Sequence, residues 1–136
     1  MKTLKLLLPL LFLFATNSCS IDDETYVNTT YYGAWHLVEV SGTIAGSTHE
    51  FEYGTIVWNF APNLITIVNN NSNEDLIDKF ETGSYPFIVD DVIDEQYGCL
   101  QRISFSADDI NCFQYNKDTM YITQNAADGI ILKLIR

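Results

Sequence analysis

The chain contains 136 residues, which is enough for one domain of ordinary size and too few for two. It carries 7 Lys and Arg against 18 Asp and Glu, so its formal net charge is −11. Nucleic-acid binding requires clustered cations, and this composition therefore excludes it. Hydrophobic residues make up 47% and aromatic residues 13% of the chain, which excludes a disordered polymer and predicts a folded core.

Residues 1–18 have the three-part pattern of a secretory signal peptide. Lys2 and Lys5 give a basic start, the apolar run over 6–15 is interrupted only by Pro9, and residues 16–18 are small and polar. The run is shorter than the roughly 20 apolar residues that a permanent transmembrane helix needs. We therefore expect the segment to be removed, which leaves a mature chain with a charge of 5 − 18 = −13.

Cys19 follows this segment directly, after the small residue Ser18. The junction resembles the signal of bacterial lipoproteins, in which the residue after the cleavage point is the lipidated cysteine. It is similar to the looser signals of Bacteroidota lipoproteins, because Thr16 stands where such signals usually carry Leu. The alternative is ordinary secretion with an unmodified Cys19.

Residues 19–30 contain Asp, Glu, Asn and Thr without an apolar period, which predicts a lipidated acidic tether. Asp22, Asp23 and Glu24 resemble the acidic tag that sends many Bacteroidota lipoproteins to the outer face of the outer membrane. Acyl chains would hold such a protein down, since an acidic tether is repelled by anionic headgroups. The alternatives are a plain solvated spacer and an inward-facing outer-membrane lipoprotein.

From residue 31 onward, short apolar runs alternate with clusters of Asn, Asp, Gly and Ser. Within a run, apolar residues recur at every second position, so that Ile56, Trp58 and Phe60 share one face. The predicted strands are 34–41, 55–61, 64–68, 85–90, 100–106, 110–115, 120–124 and 130–136. Eight short strands at close spacing predict an antiparallel barrel or sandwich. Only 73–81 has a helical pattern, and we expect at most a short helix there.

The first and last strands resemble those of the lipocalin-like domains common in secreted Bacteroidota proteins. The first carries Gly33-x-Trp35, whereas the last two carry an Asp-Thr-hydrophobic sequence over 117–122 and a strand over 128–136 that ends in Arg136. The resemblance implies that residues 31–136 form a single small antiparallel up-and-down lipocalin-like β-barrel of about eight strands. It also implies a tendency to bind small apolar molecules, without naming a ligand.

Gly33, Trp35 and Arg136 are interpreted as a structural plug of this barrel. A Trp at the start of the first strand can close one end, and an Arg on the last strand can lie across its ring. Such a cation–π contact contributes about 0.5–2 kcal/mol, depending on burial. The alternative is that Trp35 is an ordinary core residue and that Arg136 frays at the terminus.

Cys99 and Cys112 remain once Cys19 is assigned to lipid. Two thiols in an exported protein usually pair, and we predict a disulfide between them. They lie on adjacent predicted strands, where a simple hairpin would place Cys112 nearer Ile103 than Cys99. The bridge therefore requires a bulge or a displaced segment around 97–98; the alternative is two buried free thiols.

No constellation of residues indicates catalysis, and we expect no enzyme activity, metal or cofactor. His36 and His49 are the two histidines, whereas a zinc site needs three or four ligands. The acidic pairs at 90–91, 94–95 and 108–109 could act as paired carboxylates only across a sugar cleft, and we interpret them as solvated loop residues. The sequence contains no phosphate-binding glycine loop, nucleophile elbow or zinc-protease motif.

These patterns predict a surface-displayed outer-membrane lipoprotein that binds a small apolar or glycan-derived ligand. The alternative is a non-catalytic accessory lipoprotein that contacts another envelope protein. A hollow barrel would favour the first function and a filled barrel the second. We expect a mostly filled barrel with a shallow cleft at the mouth away from Trp35, because large side chains point inward. They are Trp35, Trp58, Phe60, Tyr85, Phe87, Ile103 and Phe105.

Overall fold

The computed structural model of the chain describes residues 31–42, 46–94, 99–106, 110–126 and 128–136. The predicted signal peptide, Cys19 and the acidic tether lie outside these ranges, as do Glu95, Asp108 and Asp109 of the acidic pairs. Within the described ranges, no helix is long and apolar enough to cross a membrane.

Ten strands form one antiparallel sheet, and the described residues contain no helix. The strands are β1 (Gly33–Gly42), β2 (Thr48–Glu50), β3 (Ile56–Ala61), β4 (Leu64–Asn69), β5 (Gly83–Pro86), β6 (Ile88–Asp94), β7 (Cys99–Ser104), β8 (Ile110–Tyr115), β9 (Thr119–Gln124) and β10 (Ile130–Ile135). The sheet curls until its two ends almost meet. The prediction of an all-β antiparallel barrel is therefore confirmed.

The ends of the sheet meet at a seam, where β5 and β6 follow each other through Phe87. The strand order is β5-β4-β3-β1-β10-β9-β8-β7-β6, so two consecutive strands form the two edges. β5 pairs with β4, whereas β6 pairs with β7. The order contains nine strands where about eight were predicted, because the predicted strand 85–90 is divided at Phe87. The short β2, which pairs with β1, was not among the predicted strands.

The short helix predicted over 73–81 is wrong, because the chain between β4 and β5 is a non-helical loop. The side chain of Asn69 holds the far end of this loop. Its Nδ2 atom donates to Asp78 Oδ2 at 2.7 Å and to the carbonyl of Phe80 at 2.8 Å. Lys79 also has a φ of 64°, in the left-handed region that a helix interior excludes. These local hydrogen bonds outweigh the helical spacing of the apolar residues.

Side chains fill the barrel interior. Trp35 of β1 and Trp58 of β3 lie directly opposite each other, and both are fully buried. The largest fully buried side chains are Trp35, Trp58, Phe113, Leu37, Ile56, Ile65, Ile67, Ile103, Met120, Ile122, Leu132 and Leu134. Of the side chains expected inside, Tyr85 and Phe105 are only partly buried, yet both pack against this core. A core packed at ordinary protein density leaves little room for a ligand among these residues.

Cys99 and Cys112 form the predicted disulfide, which joins β7 to β8. The ladder between these strands ends at the pair Arg102–Cys112, so Cys99 lies beyond its regular register. The ladder between β6 and β7 shifts its register between Asp91 and Asp94, next to the pair Asp94–Cys99. The two cysteine Cα atoms are 5.6 Å apart, within the usual range for a disulfide.

We predict that the double substitution Cys99→Ala and Cys112→Ala lowers the free energy of unfolding by about 3 kcal/mol, because the bridge closes a loop whose entropy the unfolded chain regains. Chemical denaturation in a Cys19→Ser background, which contains no other thiol, measures the difference. Thiol labelling of the unfolded, unreduced protein is the control. Labelling of both cysteines without a reductant would contradict the disulfide.

Candidate functional site

A cleft of about 780 Å³ opens to solvent at the seam of the barrel, and we call it the seam cleft. Its walls come from the β3–β4 turn, the β5–β6 junction, β7 and the residues after β7. The lining residues are Asn63, Pro86, Phe87, Ile88, Asp90, Arg102, Ser104, Phe105 and Ser106. Its volume lies within the range of about 300–1,000 Å³ that is typical of small-molecule sites.

The local sequence explains why the sheet parts at this point. Pro86 has no N–H group, so the ladder between β5 and β4 stops there. Phe87 turns inward, and its N–H donates to the carbonyl of Asn63 at 3.2 Å. Asn63 holds this turn at a left-handed φ of 58°, which asparagine tolerates better than most residues. Ile88 then begins the pairing with β7, and the cleft forms where the chain changes partners.

The apolar side of the seam cleft is supported from within the barrel. Phe105 packs edge-on against Trp58, with ring centroids 6.1 Å apart, and Phe87 packs edge-on against Phe60 at 5.7 Å. Ile88 faces solvent and is 62% exposed. The cleft therefore presents an exposed apolar side chain next to aromatic rings whose positions the core sets.

The polar side of the seam cleft is formed by Asp90 of β6 and Arg102 of β7, which lie opposite each other in the ladder. Ser104 is the next residue of β7 on the same face. The Arg102 side chain is partly buried and makes no hydrogen bond, ion pair or ring contact within the described ranges. Guanidinium groups bind carboxylates and other anions through charge-assisted hydrogen bonds. The cleft therefore suits a ligand with both apolar and polar parts.

Of the acidic pairs, Asp90 and Asp91 are fully described, and they do not place two carboxyl groups in the seam cleft. Asp90 lines the cleft, whereas Asp91 accepts a hydrogen bond from Gln101 Nε2 at 2.8 Å and is not a lining residue. Among the described lining residues, the cleft has a single carboxylate. Glycoside hydrolysis requires two carboxyl groups across the substrate.

Neither histidine belongs to a metal site in the part of the chain that the structure describes. His36 stacks on Tyr53 with ring centroids 3.8 Å apart. Its Nδ1 atom and the Nε2 atom of His49 are buried without a hydrogen-bond partner, as is Nε1 of Trp58. No group of three His, Cys, Asp or Glu residues in the described ranges could hold a metal ion.

Trp35 and Arg136, two of the three residues assigned to the plug, are in contact. The guanidinium carbon of Arg136 lies 4.0 Å from the centre of a Trp35 ring, and its Nε donates to the carbonyl of Lys117 at 2.8 Å. Trp35 Nε1 donates in turn to the carbonyl of Tyr31 at 2.7 Å. Gly33 has a φ of 105°, a conformation that glycine adopts without strain. These contacts connect the first and last strands.

Tyr31 is a further residue in contact with Trp35 that the sequence analysis missed. Its ring packs edge-on against a cluster of aromatic rings at centroid distances between 4.8 and 6.4 Å. The cluster consists of Tyr32, Phe60, Phe87, Phe113 and Tyr115. Burial raises the pKa of Tyr31 to about 12, so its phenol stays neutral at physiological pH. The signal in the sequence was a pair of tyrosines just before Gly33.

Sequence analysis also missed Ile88 and Arg102 as site residues. The signals were a proline inside the predicted strand 85–90, followed by a phenylalanine, and an arginine in a chain with few cations. Polar residues of β6 and of the β4–β5 loop border two separate clefts. Asp90 lines the seam cleft, whereas Asn69, Asn71 and their neighbours border a separate polar cleft.

We predict that Arg136→Gln lowers the free energy of unfolding by about 1 kcal/mol, because it removes the cation from the Trp35 ring. Lys133→Gln is the control, since it removes the same charge from the last strand at a position away from that ring. Urea denaturation followed by tryptophan fluorescence compares the two. Equal destabilisation by both substitutions would argue against a specific role of the ring contact.

No protein-family model, curated protein or solved structure matches this chain. Its function is therefore inferred from its own residues and their geometry.

Proposed function

We propose that this protein is a lipocalin-like lipoprotein of the bacterial cell envelope that binds a small amphipathic ligand without catalysis. The observation that carries the proposal is the seam cleft, which is lined by exposed Ile88 and by Arg102, whose side chain has no partner among the described residues. Core side chains fill the interior, so we place the ligand in the wall of the barrel and not inside it.

The membrane attachment is assigned to a lipid on Cys19, at the end of the signal-like segment 1–18. The acidic tether 19–30 leads to Tyr31, which packs into the plugged end beside Trp35. The tether therefore joins the barrel at that end, and we propose that the plugged end faces the membrane. In this proposal, acyl chains attach the protein to the outer membrane, and the barrel is displayed on the cell surface.

A second candidate is an accessory role, in which the barrel wall contacts another envelope protein. Leu100 of β7 is 73% exposed and Ile88 of β6 is 62% exposed, and both belong to neighbouring strands. Exposed apolar side chains on one surface are typical of protein contacts. The filled interior favours this role over a ligand held inside the barrel, so ligand binding at the seam cleft decides between the two candidates.

The anchor is tested by Cys19→Ser. We expect this substitution to release the protein from membranes into the soluble fraction, because it removes the thiol that would carry the lipid. Fractionation with the outer membrane at wild-type levels would show that the lipoprotein assignment is wrong. Protease treatment of intact cells expressing the unmodified chain separates surface display from the inward-facing alternative.

Ligand binding is tested by titrating the purified Cys19→Ser protein with N-phenyl-1-naphthylamine, an uncharged apolar fluorophore. We expect saturable one-to-one binding in the micromolar range. Ile88→Ser should weaken it about tenfold, since partial burial of an isoleucine contributes about 1.5 kcal/mol. Leu100→Ser makes the same change at an exposed position outside the cleft and should leave binding unchanged. Absence of saturable binding would favour the accessory role.

A further inference from the structure

We infer that the seam cleft selects anionic amphiphiles, with one apolar tail and a headgroup that carries a single negative charge, and that Arg102 holds this headgroup. The inference rests on the proposed ligand-binding function and adds the chemical class of the ligand. A carboxylate is the simplest headgroup of this kind, and it matches the fork of donors on a guanidinium.

The first argument for an anionic headgroup is that Arg102 is partly buried and has no partner among the described residues. A partly buried guanidinium loses part of its hydration, and an ion pair or hydrogen bonds normally compensate for that loss. Residues 31–136 contain 5 cationic and 15 acidic side chains, a balance of 5 − 15 = −10. Acidic partners are therefore abundant, yet the Arg102 side chain has none within the described ranges. No described residue occupies its donors, so a molecule that enters the cleft can accept hydrogen bonds from them.

The positions of other cations support this assignment to Arg102. Lys79 lies over a phenylalanine ring at 5.6 Å, and Arg136 lies over the plug tryptophan at 4.0 Å. Lys133 lies opposite Glu39 in the ladder between β10 and β1. Among the described lining residues of the seam cleft, Arg102 is the one cation.

The neighbours of Arg102 limit the headgroup to a single charge. Ser104, on the same face of β7, offers a hydroxyl that can donate a second hydrogen bond to a bound anion. Asp90, opposite Arg102 in the ladder, repels any additional negative charge. Because Ile88 is opposite Ser104, the apolar surface begins two pairs further along the same ladder, at the next pair on the same face. A headgroup at Arg102 therefore places its tail towards Ile88 and Phe105.

Three probes with the same ten-carbon tail test the inference: decanoate, decanol and decyltrimethylammonium. Calorimetric titration of the Cys19→Ser protein at pH 8, below the aggregation concentration of each probe, measures their affinities. We expect decanoate to bind about tenfold more tightly than decanol, as a charge-assisted hydrogen bond predicts. The ammonium probe should bind most weakly. Added salt should weaken the binding of decanoate and leave that of decanol unchanged.

Two substitutions that remove the same charge give the matched comparison. Arg102→Gln should abolish the preference for decanoate while leaving decanol binding in place, whereas Lys133→Gln should keep the preference. Asp90→Asn should strengthen decanoate binding several-fold, because it removes the repelling carboxylate. Should Arg102→Gln fail to fold, the salt dependence of the wild-type barrel and the effect of Asp90→Asn still decide the matter.

The possible failures are distinguishable. Equal affinity for decanoate and decanol, or a decanoate preference that persists in Arg102→Gln, would overturn the anionic selectivity and leave the proposed ligand-binding function standing. Failure of all three probes and of the uncharged fluorophore to bind would overturn both.

Discussion

Burial of Phe87 at the junction of β5 and β6 is the interaction on which closure of the barrel depends. Pro86 ends one ladder, Phe87 enters the core, and Ile88 begins the next ladder. One stretch of chain therefore pairs with β4 on one side of the bend and with β7 on the other. The two edges of the sheet come together without a regular ladder between β5 and β6, and the seam cleft is the space left where they part.

The filled interior explains why the candidate site lies in the wall. Trp35 of β1 and Trp58 of β3 are paired on neighbouring strands, and aliphatic side chains from the other strands complete the core. Such packing stabilises the barrel but occupies the space in which a hollow barrel holds a ligand. The wall offers a ligand site only where the ladder is interrupted, and the seam provides that interruption beside Ile88 and Arg102.

The sequence predicted features that depend on local pattern. Alternating apolar residues located the strands, and the cysteines of an exported chain predicted the bridge between Cys99 and Cys112. The helix over 73–81 was wrong because the Asn69 side chain binds Asp78 and Phe80 and Lys79 takes a left-handed φ, effects that apolar spacing does not register. The contact between Trp35 and Arg136 is present, although their separation in sequence is nearly the length of the domain.

By itself, the sequence determined the all-β class, the approximate number of strands and the side chains that form the core, because strand periodicity is a local property. Only the tertiary structure decided that the strand through Phe87 bends and changes partners, since nothing within one strand specifies its neighbours on both sides. This change of partners also brings the β3–β4 turn at Asn63 and β7 at Arg102 to the same cleft. The cleft joins residues that are distant in sequence, so it exists only once the two edges of the sheet have come together.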